Sequence, residues 1–256
     1  LNTLKKTEGT EIYRRGKKIP WAEEAYELPA EEKAGSTILH EAGAFYLQEP
    51  GAMLPAAVLD AKPGEKVLDL CAAPGGKSTQ IGIAMKGEGL LICNEPIQKR
   101  ARILSGNIER IGLKNTIVTC AWPDQLAARW PEGFDAVMTD APCSGEGMCR
   151  RVRESRTEWS REQASGCAQR QREILTEAAK LVRPGGRLVY STCTYNPEEN
   201  EESAEWFLKE HPDYETEPFS IGGINAPEGR YTCYPHRMKT EGQFVALFRR
   251  RGNGTA

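Results

Sequence analysis

The stretch Lys66–Thr79, KVLDLCAAPGGKST, decides the fold. Val67, Leu68 and Leu70 form a short apolar run around Asp69. Pro74-Gly75-Gly76 breaks it, and Lys77 restarts the chain as a helix. This reads as a buried strand, a tight turn and a helix N-terminus. In an open parallel sheet such a turn lies at the carboxyl end of the strand, where ligands bind. Backbone N–H groups at the helix start favour negative charge there. A phosphate-binding loop would read GxxxxGK[ST]. Gly76-Lys77-Ser78 supplies its second half, but Cys71 stands where its first glycine belongs, and GxGxxG is absent. Alone, the stretch is equally a plain glycine turn between a strand and a helix, so the later motifs decide.

Outward from it, strands and helices alternate as in a parallel sheet with crossover helices. Strands are expected near 66–70, 90–94, 116–120, 134–139 and 187–190. Helices are expected near 52–59, 77–86, 96–111, 125–130, 161–181 and 197–209. Ile97, Ala101, Leu104 and Ile108 share one helical face, as do Ala164, Ala168, Leu175, Ala178 and Leu181. Arg183-Pro184-Gly185-Gly186 is expected to turn the chain. Gln243–Phe248 alternates as a closing antiparallel strand. Residues 1–35 are polar and weakly patterned. The expected class is α/β: a doubly wound sheet, mostly parallel with one antiparallel strand. A partial N-terminal subdomain (1–60) leads into the main domain (61–256).

The chain has 256 residues, with 34 Lys plus Arg against 36 Asp plus Glu, a net charge of −2. That argues against an all-basic nucleic-acid arm but not against a local basic face. Basic residues cluster at Arg14, Arg15, Lys17 and Lys18, at Arg150, Arg151, Arg153 and Arg156, and at Arg249–Arg251. Each cluster taken singly reads as solvated surface. The eight cysteines include no CxxC pair and no zinc-type spacing, so no metal is expected. Reduced thiols in a cytoplasmic protein are the simplest account. No apolar run approaches the ~20 residues of a membrane span, and no signal peptide is visible.

Three strand ends carry chemistry. Glu95 ends the second strand, where an acid bonds the ribose hydroxyls of a nucleoside in doubly wound folds. Arg100, one turn on, is placed to steady the cofactor or Glu95. Asp140-Ala141-Pro142-Cys143-Ser144-Gly145 ends the fourth strand, and Ser191-Thr192-Cys193-Thr194 ends the fifth. Cys71, Cys93, Cys120 and Cys167 fit a core role. Cys143 and Cys193 instead face one crevice with Asp140. A redox pair is one reading of them. The other is covalent catalysis on a pyrimidine. Carbon 5 of cytosine is a poor nucleophile until a thiolate adds to carbon 6, and an acid at ring nitrogen 3 absorbs the developing charge. Such a thiol needs a lowered pKa near positive charge or a helix N-terminus.

These residues resemble the Sun-domain family of RNA (cytosine-5) methyltransferases, in particular its bacterial small-subunit rRNA branch. The carriers are LNTLK (1–5), FYLQEPGAMLP (45–55), DLCAAPGGKSTQ (69–80), DAPCSGEGM (140–148), RPGGRLVYSTCTYNPEENE (183–201) and YPHRMKTEGQFVA (234–246). The resemblance implies a class I, Rossmann-like fold with S-adenosyl-L-methionine as cofactor. The backbone of Cys71, Ala72, Ala73, Pro74, Gly75, Gly76 and Lys77 would hold its methionine part, Glu95 its ribose, and Arg100 a further contact. Asp140 would lie between cofactor and base as the acid, Cys193 would be the nucleophile, and Cys143 would assist release. In DNA cytosine-5 methyltransferases the Pro-Cys cysteine is the nucleophile instead, so Cys193 tips the resemblance to RNA. Lys77 would orient Asp140 or the base.

Two departures stand out. The family often has an adenine-bonding aspartate just after the third strand, where this chain reads Cys120-Ala121-Trp122-Pro123-Asp124. Relatives usually carry more residues before LNTLK and a further RNA-binding domain. Bases read outside their stack suit this chemistry, and Arg150–Arg156 is placed to meet phosphate. The implied partners are RNA, above all rRNA or the small ribosomal subunit, and the chain is expected to be a monomer. A nucleotide-binding ATPase and a non-catalytic RNA-binding protein remain as alternative readings.

Overall fold

A computed structural model describes residues 1–5, 10–29, 31–149, 157 and 159–252. The Arg150–Arg156 cluster lies outside the described residues. Helices are α1 (Ile38–Glu41), α2 (Pro50–Leu59), α3 (Gly76–Ala84), α4 (Gln98–Ile111), α5 (Pro123–Arg129), α6 (Arg161–Leu181), α7 (Glu201–Glu210) and α8 (Pro235–Met238). Strands are β1 (Lys66–Asp69), β2 (Leu90–Asn94), β3 (Thr116–Thr119), β4 (Phe134–Asp140), β5 (Val182–Thr192), β6 (Tyr214–Thr216), β7 (Phe219–Ile221), β8 (Ile224–Ala226), β9 (Arg230–Cys233) and β10 (Gln243–Arg250).

The main sheet runs β3-β2-β1-β4-β5-β10-β6, with β9 also on β10. β1 to β5 are parallel. β10 runs against β5, and β6 and β9 run against β10. β10 is therefore the one reversed strand of this sheet. β7 and β8 pair separately as a hairpin. The α/β doubly wound expectation holds, down to the single antiparallel strand.

Alternation along each strand divides the core between two faces. Val67, Leu91, Met138, Val189 and Val245 pack with Leu54 of α2, Ile81 of α3 and Leu104 of α4. Leu68, Ile92, Val137, Leu188 and Phe244 pack on the other face with Leu126 of α5, Leu175 of α6 and Phe207 of α7. The chain winds outward from β1 to β3 and re-enters at β4, so the topological switch lies between β1 and β4. That is where a crevice opens in such sheets.

Several expectations are corrected. Arg183–Gly186 does not end an element. β5 pairs with β4 at Phe134↔Val182 and resumes at Ala136↔Arg187, so these four residues are looped out within one strand. The helix expected from 197 starts at Glu201, because Asn200 sits at φ −104°, ψ −94°, outside helical space. Cys120 is exposed rather than in the core, since β3 is an edge strand, and Cys71 is only partly buried. Cys93 and Cys167 are buried as expected. Among the described residues, no helix is long and apolar enough to cross a membrane.

The N-terminal residues are tied to the main sheet. Asn2 Nδ2 donates to the carbonyls of Gly43 and Ile111, both at 2.8 Å. The Trp21 indole N–H donates to the Pro50 carbonyl at 2.9 Å. α2, with Leu54 and Leu59 fully buried, joins this segment to the sheet.

Candidate active site

The β1–α3 turn supplies the floor. Gly75 caps α3 at φ +114°, a backbone that side chains rarely adopt. A Cβ on Gly76 would sit 3.2 Å from Gln48 and Tyr46, so that glycine lets the preceding segment wall the turn. Asp69 is buried at the end of β1. One carboxylate oxygen accepts Ser78 Oγ at 2.6 Å and the other is buried without a partner. Burial raises its pKa to about 7, against the Ser78 hydrogen bond, with Asp140 adding to the rise.

β2 delivers Glu95, 1% exposed. Its carboxylate accepts the Ile97 N–H at 3.0 Å and pairs with Arg100 at 3.0 Å. Arg100 also donates to the Ala73 carbonyl at 3.1 Å, linking Glu95 to the glycine turn. The segment after β3 places Trp122 57% exposed, with Asp124 exposed in the first turn of α5.

β4 and β5 bring the remaining groups together. Asp140 accepts Lys77 Nζ at 2.8 Å on one oxygen and Ser191 Oγ at 2.6 Å on the other. Burial opposes charge on Lys77, but Asp140 more than offsets it, and the ammonium titrates above its ordinary value. Cys143 Sγ lies 3.2 Å from Cys193 Sγ and accepts the Cys193 N–H at 3.3 Å. Cys193 titrates below its ordinary value because the Cys143 thiol donates to it, with Lys77 assisting against burial and Asp140. Cys143 is driven well above its ordinary value by the same hydrogen bond and by burial. The two thiols are thus unequal, Cys193 the more acidic and Cys143 the less. Cys71, though in the turn, is raised by burial and by Asp69, which makes it a poor nucleophile.

The sequence-predicted site residues thus lie at the carboxyl end of β1, β2, β4 or β5, in the adjoining turns, or, for Gly76, Lys77 and Arg100, in the first turn of the helix that follows. Ser191 and Gln243 were not singled out. Gln243 Nε2 lies 3.5 Å from Asp140, and only the strand pairing of β10 on β5 brings it there. Among the described residues no group of three or more His, Cys, Asp or Glu side chains could hold a metal ion.

A sheet of this order with its crevice at β1 and β4 defines a Rossmann-like methyltransferase fold. A profile of the family "16S rRNA methyltransferase RsmB/F" matches residues 56–249, and the chain belongs to that family. Ribosomal RNA small subunit methyltransferase F of Escherichia fergusonii is 39% identical over 245 residues, covering 91% of this chain and 51% of the relative. The chain thus spans about half the length of the curated relatives it matches. A methyltransferase homologue from Pyrococcus horikoshii superposes with a TM-score of 0.83 at 30% identity, covering 98% of this chain and 85% of that one. NSun6 from Pyrococcus horikoshii, crystallised with SFG, superposes with a TM-score of 0.76 at 32% identity, covering 87% and 56%.

Proposed function

We propose that this chain transfers a methyl group from S-adenosyl-L-methionine to carbon 5 of a cytosine in RNA, the substrate being small-subunit rRNA. The observation that carries the reading is the thiol pair of Cys143 and Cys193, 3.2 Å apart beside the Lys77–Asp140 ion pair. The family match supports rRNA as substrate class, and the cytoplasm, where ribosomes mature in bacteria, as the site of action.

The residues present fit the cofactor. SFG, held by a structural neighbour, is an analogue of S-adenosylmethionine. In this chain the unpartnered Asp69 oxygen and the side-chain-free Gly75-Gly76 turn leave a free acceptor and bare backbone where the methionine part would lie. The backbone of Cys71–Lys77, together with Glu95, Arg100 and Asp140, would hold the molecule. When bound, it supplies a sulfonium-activated methyl group.

Cys193, as thiolate, adds to carbon 6 of the cytosine, and the ring electrons move toward carbon 5 and nitrogen 3. Asp140 gives the proton that nitrogen 3 takes up and receives it back on release, while Lys77 Nζ holds Asp140 in place. After methyl transfer solvent water takes the carbon-5 proton, its electron pair re-forms the carbon 5–carbon 6 double bond, and the carbon–sulfur bond breaks, returning Cys193 as thiolate. The Cys143 thiol stabilises that leaving sulfur by donating to it, which is its role in release.

The test uses Cys143→Ala incubated with S-adenosylmethionine and bacterial rRNA on a denaturing gel. A shifted protein–RNA band that vanishes in Cys143→Ala/Cys193→Ala is expected. No band with cofactor binding intact would defeat the covalent route. Neither band nor cofactor binding would favour a non-catalytic RNA-binding role.

A further inference from the structure

The run Asn196–Glu201 reads as an exposed acidic helix start, yet Glu199 is fully buried. One oxygen of its carboxylate accepts Ser144 Oγ at 2.5 Å. The other accepts the Ser144 N–H at 3.0 Å and Gln171 Nε2 at 2.8 Å. Ser144 follows Cys143. Its hydroxyl also lies 2.9 Å from Thr194 Oγ1, and Thr194 follows Cys193. Asn200 holds the other segment: it accepts Thr192 Oγ1 at 2.5 Å and donates to the Thr194 carbonyl at 3.0 Å. Two adjacent residues therefore grip the backbone on both sides of the two thiols. A buried carboxylate with three donors is fixed in place, and leaving any of those donors unmatched would be costly.

We propose that Glu199 is a positioning residue for the thiol pair, holding Cys143 against Cys193 and keeping their shared proton on Cys143. The proposal rests on the reading of Cys193 as nucleophile. A fixed negative charge near Cys143 disfavours a second one there. The charged and titratable groups around the pair are consistent with this: Cys143 faces Cys193 and Glu199, while Cys193 faces Cys143, Asp140 and Lys77. Glu199 adds to the rise at Cys143, after the Cys193 hydrogen bond and burial. On the Cys193 side the facing carboxylate, Asp140, is ion-paired with Lys77 at 2.8 Å, whereas the Glu199 carboxylate is held by the neutral groups of Ser144 and Gln171. The asymmetry selects which sulfur attacks.

The test needs neither cofactor nor RNA. The folded chain is treated with iodoacetamide, and peptide mass mapping scores which cysteine is alkylated. The unaltered chain should react at Cys193 in preference to Cys143. Glu199→Gln keeps the side-chain volume and an acceptor for the Ser144 N–H but removes the charge. It should lower the Cys193 to Cys143 labelling ratio about ten-fold, the equivalent of one pKa unit. A purely structural role would lower thermal stability and leave the ratio unchanged, and that result would overturn the proposal, as would the absence of any preference in the unaltered chain. Should Glu199→Gln not fold, Ser144→Ala removes only the hydroxyl link. It should shift the ratio the same way, and an unchanged ratio there overturns the proposal equally. Failure of the functional reading would appear separately, as absent methyl transfer in the unaltered chain.

Discussion

Cys193 and Cys143 are chemically identical side chains made unequal by their neighbours. Cys193 receives a thiol hydrogen bond and the field of Lys77, whereas Cys143 receives neither. Cys193→Ala should therefore abolish methyl transfer, since no other thiol at the crevice is activated, while leaving cofactor binding nearly intact. Radiolabelled methyl incorporation and calorimetric cofactor titration check this, and residual turnover would reassign the nucleophile. Asp69 makes a different prediction. Its folded pKa of about 7 lies above the ordinary value of about 4 for an unfolded aspartate. The native state then binds the proton more tightly between those values, so stability falls as pH rises from about 4 to 7 and is level above that. Asp69→Asn should flatten that slope and raise stability at pH 8 by roughly 4 kcal/mol at most. Urea unfolding at pH 5 and pH 8 reads it, and an unchanged difference between the two would contradict the raised value. The same variant should bind S-adenosylmethionine more weakly, because it replaces a carboxylate acceptor beside the turn.

Single residues take effect through the elements that carry them, and the short 3-10 turn Glu146–Met148 is the clearest case. Its Gly147 N–H donates to the Cys193 carbonyl at 2.9 Å. A Cβ there would lie 2.7 Å from that carbonyl oxygen and 2.6 Å from the Gly242 carbonyl oxygen, both backbone atoms that cannot swing aside. Gly147→Ala should push the two cysteine segments apart and lower kcat at least about ten-fold, one pKa unit's worth of lost thiolate, with the fold retained by circular dichroism. Gly147 stands within the Cys143 motif, yet its constraint was not legible there, because it comes from two segments distant in the chain. The same division runs through the fold. β1, β2 and β4 were legible because apolar runs end in turn residues at regular intervals. β6 to β9, three or four residues each, carry too few positions to show a period. Arg183–Gly186 read as a turn because proline and glycine mark turns, and only the pairing of Arg187 with Ala136 reveals a strand continuing past it. Glu199 was hidden for a further reason. Among four neighbouring glutamates nothing local marks the buried one, and its role is set by Ser144 and Gln171.

On the proposed reading, the charge of the whole molecule decides where RNA would lie. The three basic clusters look alike as sequence but differ in what they face. Arg249 pairs with Glu217 at 2.7 Å, Arg250 with Asp213 and Glu132 at 3.0 and 2.9 Å, and Arg251 with Glu215 at 3.2 Å, so the last cluster is spent on binding β10 to its surroundings. In the first cluster Arg14 pairs with Glu24, while Arg15, Lys17 and Lys18 are exposed. Their segment borders a groove of about 730 Å³ lined by Tyr13, Ile19, Tyr46, Glu49, Lys239 and Thr240. Tyr46 walls the Gly76 turn, and Thr240 precedes Gln243, which reaches Asp140. Phosphates approaching the crevice along this groove would pass these three exposed cations. Each phosphate contact releases counterions, so removing one should flatten the dependence of log K on log salt by about 0.7 for single-stranded RNA. Arg15→Glu/Lys17→Glu/Lys18→Glu should weaken rRNA binding and flatten that slope with little change in Tm. Arg249→Glu should do the reverse, lowering Tm by losing a bidentate pair while the salt slope stays put. Filter binding across a salt series, beside thermal unfolding of the same variants, separates the two. Equal slopes in all variants would move the RNA path away from the N-terminal segment.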